Sequence, residues 1–175
     1  LNPADLAESF QPIIGQAVTL RPLQRADVDI ESAFLHGLSH ESRHNRLLGG
    51  MIKITREYLE KLTNVDYAKD VALAATVMLE DRETLIGVAR YVREPDGRAC
   101  EFAIVVADAW QGRGIARRLM EKLIAVARSR GMERMFGDVL STNRRMLDFC
   151  LRLGFALGRN PDDATVTRAT LALQP

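Results

Sequence analysis

Two stretches of the sequence could carry chemistry. The first is Cys100-Glu101-Phe102-Ala103-Ile104-Val105-Val106, in which Glu101 is a lone carboxylate within an apolar run. A charge placed there is costly unless it is solvated, paired or at work, and partial burial would raise its pKa toward that of a usable general base. The plainer alternative is a glutamate facing water from a strand. The second stretch follows within a few residues: Asp108-Ala109-Trp110-Gln111-Gly112-Arg113-Gly114-Ile115-Ala116-Arg117-Arg118-Leu119. Its two glycines separate the apolar run from a helical pattern. A helix starting from such a turn offers unpaired amides and the positive end of its dipole, and glycine lets a ligand approach the backbone. The turn is a good place to bind an anion such as phosphate; the plainer alternative is an ordinary strand–helix turn with a glycine cap. A P-loop would end in Lys and Ser/Thr, whereas Gly114 is followed by Ile115 and Ala116. A dinucleotide loop needs a third small residue where Arg117 stands.

Other candidates for chemistry are weaker. His36, His40 and His44 stand at helical spacing, but Gly37 and Ser39 interrupt the helix between them, so no metal site is expected. Cys100 and Cys150 have no metal-like spacing and are too few for a disulfide framework, which favours a reducing, cytoplasmic setting.

The elements that must position these residues can be read from periodicity. Residues 1–15 read as a lead-in or linker, and 16–175 as a single domain. Residues 17–23 alternate as a strand, with Pro22 suggesting an edge. A helix over 26–36 carries Ile30, Phe34 and Ala33 inward, Ser39 starts a second short helix, and Thr55 starts a third. Strands follow at 70–79 and 84–94, and the turn Glu94-Pro95-Asp96-Gly97 leads into a strand at 98–107. The segment 114–130 has helical spacing, with Ile115, Leu119 and Leu123 in one row and Ala116, Met120 and Ile124 in the next. Gly131 caps it, 132–140 is a strand, 143–153 a helix with Met146, Leu147, Cys150 and Leu151 inward, and 166–173 a final strand. The predicted fold is α/β: a mixed, mainly antiparallel sheet with one parallel strand–helix–strand crossover.

Composition sets outer limits. The chain has 175 residues, 47% hydrophobic and 27% charged, enough for one soluble domain with a real core. A formal net charge of +1 argues against a polyanion binder, even with Arg113, Arg117, Arg118, Arg128 and Arg130 as a basic group. No nucleic-acid or membrane partner is expected, since no apolar run approaches the ~20 residues of a span and no signal peptide opens the chain. Opening on Leu1, the chain reads as a trimmed form or as a fragment of something longer. A strand edge near the C-terminus is compatible with a homodimer.

The glycine turn also fits a third pattern, Gln/Arg-x-x-Gly-x-Gly/Ala, through Gln111, Gly114 and Ala116. That pattern resembles the coenzyme-A-binding signature of the GNAT superfamily of N-acetyltransferases. It lies, as in the family, between a strand (EFAIVV) and an amphipathic helix. LSTNRRMLDFCLRLGF resembles the family's strand–Asn–helix–Gly-Phe segment, with Asn143 and Gly154-Phe155 in place. The likeness spans roughly residues 17–173. It implies acetyl-CoA as cosubstrate and two central strands that splay apart. Pantetheine would lie in the gap on the backbone of Ile104, Val105 and Val106. The pyrophosphate would sit on the amides of Gln111, Gly112, Arg113, Gly114, Ile115 and Ala116, assisted by Arg113, Arg117 and Arg118. Asn143 would touch the cofactor arm, cap the helix, or do both. Glu101 would be the general base, and an amide near Ile104 or Val105 would stabilise the oxyanion.

One position departs from the family. Cys150 stands where many members carry a tyrosine thought to protonate the leaving thiolate. Coenzyme A resembles a cysteine thiol of pKa ~8.5, so its thiolate can leave with little help. The segment LSHESRHNRLL further resembles bacterial protein-lysine acetyltransferases. This implies an amine acceptor, with protein lysine favoured, and makes Glu41, Arg43 and Arg46 its candidate contacts. A small-molecule amine acetyltransferase and a non-catalytic acyl-CoA-sensing module remain as alternatives.

Overall fold

The computed structural model describes residues 2–12 and 16–174. One sheet of eight strands runs through the molecule. In chain order the strands are β1 (Glu8–Phe10), β2 (Val18–Pro22), β3 (Val71–Leu79), β4 (Arg82–Arg93), β5 (Ala99–Val106), β6 (Arg134–Leu140), β7 (Ala156–Arg159) and β8 (Val166–Ala172). Five helices accompany them: α1 (Val28–Gly37), α2 (His40–Arg46), α3 (Arg56–Thr63), α4 (Ile115–Ser129) and α5 (Arg144–Arg152). The spatial order is β1-β2-β3-β4-β5-β6-β8-β7, and all pairs are antiparallel except β5 with β6. The mixed α/β sheet with one parallel crossover is thus present.

Alternation along the strands builds a core on each face. The larger core packs α4, through Ile115, Leu119, Met120, Leu123 and Ile124, on residues of β3, β4 and β5. The smaller joins Phe34 and Leu38 to Leu23, Ala72, Ala74, Leu85 and Val88. Both expected rows of α4 therefore point inward, and the side chains of Arg117, Arg118 and Glu121 remain exposed.

Several local expectations are corrected. Within the stretch read as a lead-in, Leu6 is buried in the core, β1 pairs with β2, and the Glu8 carboxylate accepts from Arg118 and Lys122 at 2.7 and 2.8 Å. Residues 13–15 of that stretch lie outside the described ones. Pro22 does not mark an edge strand, because β2 lies between β1 and β3. However, β1 pairs only with Val18–Leu20, so its ladder ends before the proline, which has no N–H to offer it. Ala33 and Leu151, expected inward, are exposed, and α1 runs on through Gly37. The short strand β7 was not foreseen.

Candidate active site

The parallel pair β5/β6 is joined over three residues only. Ala99, Cys100 and Glu101 lie opposite Arg134, Met135 and Phe136, and beyond them the two strands are no longer paired. β5 continues to Val106 and β6 to Leu140, so the sheet is split along its middle. A cleft of about 690 Å³ occupies the split and its surroundings. β5 forms one wall, Asp138 and Val139 of β6 with the start of α5 the other, and α2 closes one side.

Backbone phase decides which parts of β5 a ligand can reach. The Ala107 N–H donates to the Ile86 carbonyl at 2.8 Å, and Val105 lies opposite Val88 in the same ladder. By period two, the backbone groups of Val105 face β4, whereas those of Ile104 and Val106 face the gap. Val105, expected to offer its backbone to a cofactor, has it engaged with β4. Val105 nonetheless lines the cleft. The Val106 carbonyl already accepts from Gln111 Nε2 at 3.0 Å, which leaves the Ile104 N–H and C=O and the Val106 N–H facing the opening.

The glycine turn closes one end of the cleft. Gly112 and Gly114 have φ of +75° and +83°, the left-handed region that other residues enter at a cost. A Cβ on Gly114 would meet nothing within 4 Å, so backbone conformation rather than space requires glycine there. The Arg118 N–H donates to the Gly114 carbonyl at 3.0 Å, closing the first turn of α4. The amides ahead of it, from Gly114 to Arg117, have no intrahelical acceptor, and Gly114 has no side chain to cap them. Three of them, on Gly114, Ile115 and Ala116, are among the amides expected to receive an anion, whereas the Gln111 N–H, also expected there, donates to the Asp108 carbonyl at 3.3 Å.

The side chains of the turn separate into different roles. Gln111 is a strut: it donates to Val106 and to Ser42 Oγ at 3.4 Å, and its Oε1 accepts from Arg145 at 2.7 Å. Arg117 lines the cleft while paired to Glu121 at 2.7 Å, and Arg118 is turned away to Glu8. Arg113 lies over the Trp110 ring at 4.8 Å and is not among the residues lining the cleft. Ile115 contributes only its amide, since its side chain is buried in the core. Asn143 caps α5 by accepting from the Met146 N–H at 3.2 Å, and it also lines the cleft.

Glu101 sits where the strands part. Its side chain opens to the solvent of the cleft, yet the burial it has raises its pKa above the ordinary carboxylate value. The neighbouring charges of Asp138 and Glu94 add to this, and Arg168 and Arg46 oppose it. Asp138 is itself firmly held. Arg168 donates to both of its oxygens at 2.8 and 2.9 Å, and Asn160 Nδ2 donates to one of them at 2.9 Å. Cys150 is buried outside the cleft lining, and burial pushes its thiol up to about 11.

The acceptor candidates divide between two cavities. Glu41 and Arg46 line the main cleft, but Arg43 does not. It lines a neighbouring cavity of about 80 Å³, which Arg46 also borders. His40 and His44 stack with ring centroids 6.2 Å apart, and among the described residues no three metal-ligating side chains gather.

Sequence reading missed the residues that fix α2 to the turn. Asp108 accepts from the Ser39 N–H at 3.0 Å and from the Ser39 and Ser42 hydroxyls at 2.7 Å each. These bonds, the Ser39 amide first, hold its carboxyl below the usual range. Ser39 was legible as a helix cap, and it does accept from the Ser42 N–H at 3.1 Å. Its second partner is distant in sequence, and local spacing carries no trace of it. Arg145 and Asp138 were missed for the same reason.

Comparisons with known proteins found similar sequences and similar folds. The profile of the acetyltransferase (GNAT) family matches residues 48–155. An acetyltransferase of Pseudomonas aeruginosa is 36% identical over 159 residues, covering 91% of this chain and 86% of that protein. Acetyltransferase Pat of Mycolicibacterium smegmatis is 36% identical over 142 residues, which are 80% of this chain and 41% of that protein. Among solved structures, the GNAT domain of S. lividans PAT has a TM-score of 0.88 at 28% identity, covering 98% of this chain and 99% of that one. A putative acetyltransferase of Salmonella typhimurium, solved with its cofactor acetyl-CoA, shares the fold with a TM-score of 0.69 at 22% identity, over 90% of this chain and 95% of that one.

Proposed function

The chain belongs to the acetyltransferase (GNAT) family, and from that premise we propose that it moves an acetyl group from acetyl-CoA to a primary amine by direct attack in a ternary complex. A protein lysine is the favoured acceptor, in keeping with the likeness to the GNAT domain of S. lividans PAT. The observation that carries the reading is the split between β5 and β6, with Glu101 where the strands part and uncapped α4 amides at the far end. The pantetheine arm bonds the free backbone groups of Ile104 and Val106, and the pyrophosphate takes the amides between Gly112 and Ala116, with Arg117 beside it. Asn143 borders the arm while capping α5.

The neutral amine attacks the thioester carbonyl carbon, and its proton passes to the Glu101 carboxylate. The C–S bond then breaks, and coenzyme A leaves as a thiolate. The Ile104 amide, which faces the gap, is the donor to the oxyanion; Val105, whose amide faces β4, is not. A thiol of pKa ~8.5 leaves without a strong acid, and Cys150, buried away from the cleft, has no part in the step. Among the described residues no helix is long and apolar enough to cross a membrane, and both cysteines are free and buried. These suit a cytoplasmic enzyme.

Replacing Glu101 with glutamine keeps the shape and removes the base. We expect kcat to fall about 10²- to 10⁴-fold, with the acetyl-CoA Kd unchanged. Near-normal turnover at neutral pH would dismiss Glu101 as the base. A screen of lysine peptides against small amines, following coenzyme A release, decides the acceptor class. Turnover of small amines alone would favour the small-molecule alternative. Tight acetyl-CoA binding with no turnover of any amine would favour a sensing module.

A further inference from the structure

The neighbouring cavity has a charge pattern that the acetyl-transfer step does not use. It lies beneath α1 and α3, against Val88 of β4 and Ala103 and Val105 of β5. Its polar lining consists of Glu31, Arg43, Arg46, Arg90 and Tyr58, so three guanidiniums face one carboxyl group. Glu31 is 1% exposed, and its Oε2 is buried without a hydrogen-bond partner among the described residues. The nearest guanidinium nitrogen, Nη2 of Arg90, is 3.9 Å from the other oxygen, beyond hydrogen-bond reach. Arg90 Nη1 donates to the Leu62 carbonyl at 3.2 Å, and among the described residues its other nitrogens make no hydrogen bond. Neither Arg43 nor Arg46 has an ion-pair partner among the described residues.

We propose that this cavity is a carboxylate-binding subsite for the acceptor, holding an acidic group of the acceptor molecule beside the amine that is acetylated. Three guanidiniums supply paired donors suited to a carboxylate. Glu31 is compatible with an anion only in its protonated form, whose unpartnered oxygen can donate; burial raises its pKa above the ordinary value, and Arg90 and Arg46 oppose that rise. An ammonium ligand, by contrast, would meet an excess of positive charge. The cavity adjoins the main cleft, since Arg46, Ala103 and Val105 border both. Ala103 is two residues from Glu101 on the same face of β5, roughly 7 Å away. The acid must therefore lie a short chain's length from the amine. It could be the carboxylate of a small amino acid or an acidic residue beside a target lysine.

The proposal rests on the acetyl-transfer reading, and its test has two arms. One compares 5-aminopentanoate with 5-aminopentanamide and with 1,5-diaminopentane. The other compares lysine peptides carrying Glu or Gln next to the lysine. We expect kcat/KM to favour the acid over its amide by about 10- to 100-fold in the arm that matches the source. In Arg43→Gln that ratio should fall toward one through KM. Glu31→Gln, which keeps the shape and a hydrogen-bond donor, should retain the preference. Equal kcat/KM for acid and amide in both arms overturns the proposal, and so does a preference for the diamine. Loss of the acid preference in Glu31→Gln overturns it as well. Should no amine release coenzyme A, the acetyl-transfer reading has failed instead. Calorimetric titration with pentanoate then decides the subsite: binding weakened at least about tenfold in Arg43→Gln supports it, and equal binding refutes it.

Discussion

The protonation state of Glu101 depends on groups that reach it from elsewhere in the sheet. A general base must be ionised before it can accept a proton, and its pKa is raised by burial, by Asp138 and by Glu94. The acidic limb of kcat/KM should therefore lie at a higher pH than an ordinary carboxylate would give, with activity lost as pH falls through it. Asp138→Asn removes one of the charges that raise this pKa, so the limb should move to lower pH. A pH profile measured with saturating acetyl-CoA checks this, and an unmoved limb would exclude Asp138 as the neighbour that tunes the base. Glu101 could be singled out from sequence because a lone charge interrupts an apolar strand. Asp138 could not, since its place beside Glu101 follows from the parallel register of Glu101 with Phe136. Local periodicity contains no register information across a crossover.

At the scale of elements, the divergence of β5 from β6 begins at Phe102. Its ring packs tilted against Phe155 with centroids 5.1 Å apart, and it borders the cleft. Across the gap stands Gly137, where an added Cβ would lie 2.5 Å from a ring carbon of Phe102. Only a residue without a side chain lets the ring rest against β6. Gly137→Ala should therefore cost about 1–3 kcal/mol of stability as the ring or strand shifts. It should also raise KM for acetyl-CoA, because the displaced ring belongs to the cleft wall. Thermal melts paired with steady-state kinetics test this; unchanged Tm and KM would mean that Phe102 has room to move. The long elements could be read from sequence because α4 and the central strands repeat their pattern over several periods. β1 and β7, with three and four residues, are too short to establish one. The meaning of Pro22 depended on how far a neighbouring strand extends, which composition does not specify.

At the scale of the whole molecule, the sheet consists of two units. β1 to β5 form one, β6, β8 and β7 the other, and three residue pairs join them within the sheet. This division was foreseen only through the family likeness, since neither half shows in its own sequence where it stops pairing with the other. Its consequence can be read as deuterium uptake. Amides whose hydrogens face the split have no partner in the sheet, while their odd-numbered neighbours are bonded to β4. In the free protein, Ile104 and Val106 should exchange quickly and Val105 slowly, one residue after another along a single strand. Acetyl-CoA lying along that edge should slow Ile104 and Val106 and leave Val105 as it was, so the strand carries its own internal reference for occupancy.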